Sequence, residues 1–140
     1  MNDDESKVLV WLLLEEDGNV MLARRKPGSG AFAGLWALPG DAMLTWESAS
    51  ETVTRIAQDL IDITVNSERF VDTLYAKDKG IEYAVNVFSV SYTGRPRFRE
   101  SGPFEQAGWA PIAELPSPAV EGLSKLLEAR STTDEKRING

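Results

Sequence analysis

The chain has 140 residues and a formal net charge of −7, with apolar and charged fractions ordinary for a globular protein. That length suits one domain with one sizeable core, and the acidic balance argues against a nucleic-acid polymer as partner, since a phosphate backbone selects basic surfaces. Cysteine and histidine are both absent, which excludes disulfides, zinc–thiolate sites, thiol nucleophiles and imidazole chemistry.

Residues 1–6 are polar and acidic and are expected to be a loose terminus. Asp3, Asp4 and Glu5 carry the wrong charge for a signal peptide, and the apolar run Val8 to Leu14 is too short to span a bilayer. No membrane partner and a cytoplasmic location are therefore expected. Lys7 to Leu14 reads as a strand buried on both faces. Asp17-Gly18-Asn19 is a hairpin turn signal, with Val20 to Arg24 as the return strand. Arg25 to Leu35 is a loop with three glycines, a proline and two exposed-looking apolar residues, Phe32 and Leu35. Trp36 to Leu38 is a candidate short strand.

The clearest helix covers Glu47 to Ile61, with Ser48 or Ser50 as its cap. Val53, Ile56, Ala57, Leu60 and Ile61 form its apolar stripe, while Glu51, Arg55 and Asp59 are placed to pair along another side. Arg69 to Ala76 and Ile81 to Tyr92 read as strands joined by Lys77-Asp78-Lys79-Gly80. In the second, Tyr83, Val85 and Val87 alternate with Ala84, Asn86, Phe88 and Val90. Ala107 to Ala110 is a further short strand, and Val120 to Ala129 a terminal amphipathic helix. One domain over residues 7–130 is expected, followed by a polar tail at 131–140. Helices interleaved with mixed strands predict an α/β fold whose sheet is covered on both faces.

The stretch LPGDAMLTWESASETVTRIAQDLIDI, Leu38 to Ile63, resembles the Nudix box, G-x5-E-x7-R-E-U-x-E-E-x-G-U with U aliphatic. Glu47 and Arg55 stand at the spacing of that pattern. Ile56 stands at its first helical Glu, Asp59 at the second and Leu60 at the third. Asp41 and Asp62 replace its two glycines. Leu22 to Gly40 looks like the segment before the box in MutT-like members acting on nucleoside triphosphates, and Gly108 to Pro116 like the usual ending of the family. The resemblance implies an α/β/α sandwich with a mixed sheet. It also implies a hydrolase of nucleoside diphosphates linked to another group, using Mg²⁺ or Mn²⁺ held by box carboxylates. Such a cation would neutralise charge on the leaving oxygens and lower the pKa of a bound water.

On that reading Glu47, Arg55 and Asp59 are the candidate catalytic residues; the alternative for Glu47 and Arg55 is an ion pair tying the box loop to the helix, and for Asp59 a solvated charge beside Arg55. Glu47, Asp59 and Glu105 are the candidate metal ligands, with Glu100 as a rival for the last. The basic run Arg24, Arg25, Lys26 offers phosphate contacts, and Phe32 or Trp36 a surface for a base. Packing of the loop onto the core is the alternative for both aromatics. Ile56 and Leu60 offer no oxygen, so metal binding and hydrolysis are expected to be weak or absent. Two further functions stay open: a non-catalytic nucleotide-binding domain, and an interaction module. In the second, Ile56, Leu60 and Trp46 form an apolar patch covered by Trp46 itself, by a partner or by a second copy in a homodimer.

Overall fold

The structure is a computed structural model describing residues 7–129. The expected loose terminus and the polar tail fall outside the described residues. In chain order the elements are strands β1 (Val8–Leu13), β2 (Glu15–Glu16), β3 (Asn19–Arg25), β4 (Trp36–Ala37) and β5 (Gly40–Ala42). Helix α1 (Ala49–Arg55) then runs directly into a π-helical segment, Ile56–Ile61. Strands β6 (Thr64–Asp78), β7 (Ile81–Thr93) and β8 (Phe104–Pro111) follow, and helix α2 spans 123–129.

Strand β1 buries both faces because it lies inside a mixed sheet of order β5-β1-β7-β6, antiparallel to β5 and parallel to β7. Leu9, Trp11 and Leu13 join one apolar cluster, and Val10 and Leu12 the other. The alternation expected in β7 is present: Val85 and Val87 face the first cluster, Phe88 and Val90 the second. Val53, Ile56, Ala57 and Ile61 cover one face, and Leu123 and Leu127 of α2 help to cover the other. The fold is an α/β/α sandwich. Strand β3 organises a second sheet with β2, β4 and β8. Among the described residues no helix is long and apolar enough to cross a membrane.

Two tight turns form where Gly follows an Asp or Lys. Asp17-Gly18 and Lys79-Gly80 all take positive φ, as the right-handed twist of two-residue hairpin loops requires. Strand β6 begins at Thr64, five residues before the expected Arg69, because bulges near Val65 and Phe70 keep a long twisted hairpin in register. Strand β8 likewise extends the short strand expected at Ala107 to Ala110. Phe32 is not exposed: it is 3% accessible and packs against Trp11 and Tyr83, with centroids 6.1 and 5.5 Å away.

The helix expected as one piece changes winding at Ile56. Under π geometry residues five apart lie one turn apart, so Ile56 and Ile61 stack on the same buried face. Asp62 ends the segment at φ 63°, ψ 43°, its N–H donating to the Ala57 carbonyl.

Candidate functional site

The loop after β5 and the first turns of α1 are tied together by one arginine. Ser48 caps α1: its hydroxyl accepts from the Glu51 N–H, and the Glu51 carboxylate accepts from the Ser48 N–H. This reciprocal cap, worth about 1 kcal/mol, sets the helix start and leaves Glu47 just ahead of it. Arg55 then reaches back across the turn. Its Nε donates to Glu47 Oε2 at 2.6 Å and its Nη2 to Glu47 Oε1 at 3.0 Å. Nη2 also donates to the Ala42 carbonyl, and Nη1 to Asp41 Oδ2 at 3.0 Å. Glu47 Oε1 further accepts from the Leu44 N–H and the Thr52 hydroxyl.

The Glu47 side chain is only 7% accessible. The Arg55 hydrogen bonds hold its carboxyl at about 2, well below the ordinary 4.5, although burial opposes the shift. Those same bonds, chiefly from Glu47, push the Arg55 guanidinium further up. The ladder expected from Glu51 through Arg55 to Asp59 does not form. Glu51 is spent on the cap and Arg55 on the loop, which offers acceptors in better geometry.

Asp41 extends the network to the glycine loop. Its second oxygen, Oδ1, accepts from Arg25 Nη2 at 3.0 Å. Arg25 also donates to the carbonyls of Ser29 and Gly40, and its Cζ lies 5.1 Å from the Phe104 ring centroid. Burial lowers the Arg25 pKa, and Asp41 partly offsets this. Gly40 allows the close approach: a Cβ there would meet the Val10 carbonyl oxygen at 2.1 Å. The result is an alternating chain of charge, Arg25–Asp41–Arg55–Glu47.

The other candidates lie outside this chain. Arg24 approaches Glu105 at 2.9 Å without aligning its Nε–H, and its Cζ lies 5.4 Å from the Trp36 ring centroid. Glu105 therefore stands with Arg24 rather than with Glu47 or Asp59. Lys26 Nζ donates to the Glu100 carbonyl. Asp59 is exposed and lines an open depression with Ser50, Glu51, Thr54, Arg55 and Gln58. Phe32, packed in the core, offers no face to a base.

Ile56 and Leu60 do not form the apolar surface expected in a vacated cleft. Ile56 is fully buried among Val10, Leu12, Val53 and Ala57, and Leu60 packs half-buried against the same cluster. Trp46 covers neither, being 77% accessible.

The NUDIX domain model matches residues 5–129. The chain belongs to the NUDIX domain family. Among solved structures it is similar to the MutT NUDIX hydrolase of Burkholderia pseudomallei, at 25% identity and a TM-score of 0.76, covering 86% of this chain and 95% of that one. The MutT protein of Methanosarcina mazei Go1 is 19% identical with a TM-score of 0.79, covering 94% and 97%. The NUDIX domain of Shewanella oneidensis NrtR, complexed with ADP ribose, is 19% identical with a TM-score of 0.69, covering 91% and 88%. At these lower identities the last two speak for the fold alone. No curated protein matches the chain.

Nudix domains generally use a divalent metal, and the residues present at the box do not fit one. Hard cations need several oxygens converging on one point. Here both oxygens of Asp41 and both of Glu47 accept from arginines. Ile56 and Leu60 supply no oxygen, and Glu51, the carboxylate that lines the open depression with Asp59, is engaged in the helix cap. Among the described residues no three acidic side chains gather into a potential metal site. The pairing of Asp41 with Arg25 and Arg55 had no sequence signal, since its partners lie 16 and 14 residues away in opposite directions.

Proposed function

We propose that this chain is a Nudix domain that binds a nucleotide-type small molecule and hydrolyses diphosphates weakly or not at all. One observation carries the reading: the two carboxylates at the box loop neutralise arginines, while the box position Ile56 belongs to the core. Charge that would gather cations in a hydrolase is here spent on holding the loop to the helix. The ligand class is supported by the family and by the fold neighbour complexed with ADP ribose.

The test combines turnover and binding on the same preparation. Nucleoside triphosphates, nucleotide sugars, ADP-ribose and dinucleoside polyphosphates are screened with Mg²⁺ and Mn²⁺, and each is titrated calorimetrically without metal. The expected result is saturable binding of at least one compound with no turnover above the metal-free background. Metal-dependent turnover of about 1 per second or faster would restore the hydrolase reading, and binding of none would end the nucleotide reading.

A further inference from the structure

Asp41 stands where the Nudix pattern has glycine, so its carboxylate is an addition of this chain. It sits between two guanidiniums, 3.0 Å from Arg25 Nη2 and 3.0 Å from Arg55 Nη1. Neither cation needs Asp41 to stay in place. Arg25 is held by the carbonyls of Ser29 and Gly40 and lies over Phe104. Arg55 is held by two bonds to Glu47 and one to Ala42. Taking Asp41 away would leave two oriented N–H donors aimed at the two adjacent positions of its carboxylate oxygens, with one positive charge unbalanced. Two such donors fit a tetrahedral oxyanion as well as they fit a carboxylate.

The position is reachable. The Asp41 side chain is 35% accessible, and a cavity of about 60 Å³ adjoins it on its Arg25 side, walled by Leu9, Trp11, Arg25, Gly30 and Gly40, while Arg55 faces the open depression beside Asp59. That cavity holds several waters or a small oxyanion, and it is too small for a nucleoside. We infer that Asp41 is a built-in occupant of an oxyanion site formed by Arg25 and Arg55, and that a phosphate group of the ligand enters by displacing its carboxylate. This deepens the nucleotide-binding reading and rests on it for the identity of the natural ligand. No covalent step is involved: one anion replaces another between the same donors, and Asp41 turns to solvent.

The experiment titrates inorganic pyrophosphate and, separately, ADP-ribose into the wild type, Asp41→Gly, Asp41→Asn and the double variant Asp41→Gly with Arg25→Gln. Asp62→Asn, with the same loss of one charge, controls for the general field. Pyrophosphate should bind Asp41→Gly at least tenfold more tightly than the wild type. Asp41→Asn should fall between, the double variant should lose the gain, and Asp62→Asn should show none. A folded Asp41→Gly with wild-type affinity overturns the inference, as does an equal gain in Asp62→Asn. If Asp41→Gly fails to fold, Asp41→Asn decides in the same way. A pyrophosphate gain in a chain that binds none of the nucleotides screened above keeps the oxyanion site and removes the nucleotide reading. ADP-ribose bound equally by all variants, with pyrophosphate indifferent, does the reverse.

Discussion

Ala49–Arg55 and Ile56–Ile61 are consecutive halves of one helical run, and they spend their side chains differently. The first half is α-helical, capped by Ser48 and Glu51, and ends in an arginine that ties down the preceding loop. The second half is π-helical and buries Ile56, Ala57 and Ile61 against the sheet. A box can thus keep its loop–helix clamp while its first helical carboxylate position becomes core, because the clamp and that position are carried by different turns. The clamp depends on charge and geometry, and the second half on burial alone.

Substituting Glu at the two lost positions separates burial from chemistry. Ile56→Glu places a carboxylate in a dry apolar cluster with no partner, and is expected to cost about 5 kcal/mol, enough to unfold a small domain. Urea denaturation measures it. A stable Ile56→Glu protein would show that the segment can turn its face outward. In the first half, Glu47→Ala removes the acceptor for Arg55, Leu44 and Thr52 and is expected to cost about 3 kcal/mol. Because the folded Glu47 pKa is depressed, its stabilisation is complete above about 4.5 and is lost as pH falls through about 2. Acid titration of the melting temperature should show this component in the wild type and not in Glu47→Ala.

Leu60→Glu, half-buried at the edge of the same cluster, is expected to cost about 1 kcal/mol, read from the same urea curves. A cost equal to that of Ile56→Glu would mean the two positions share one environment. The smallest effect is favourable. Asp62 holds a left-handed backbone that glycine adopts freely, so Asp62→Gly should stabilise the protein by about 1 kcal/mol or less. A loss of stability there would reveal a role for the Asp62 carboxylate.

Much of the fold was legible because it rests on local periodicity. The alternation through β7, the Asp17-Gly18 turn and the stripe from Val53 to Ile61 each answer to a few neighbouring residues. The Glu47–Arg55 pair was legible too, through its spacing. The change of winding at Ile56 was not, since a stripe of Ile, Ala, Leu and Ile satisfies either a 3.6-residue or a wider turn over so short a run. Phe32 looked exposed because its loop is rich in glycine; only the approach of Trp11 and Tyr83 from distant strands buries it. Asp41 was legible as an extra carboxylate but not as the link between Arg25 and Arg55, because tertiary pairing of charges has no period.

The central claim is that arginines, not a cation, satisfy the carboxylates at the box. Calorimetric titration of the wild-type chain with Mn²⁺ tests it most directly. The account predicts no saturable binding below the millimolar range. A dissociation constant in the low micromolar range or tighter would contradict it, and would mean that Asp41, Glu47 and Asp59 can leave their present arrangement to build a metal site.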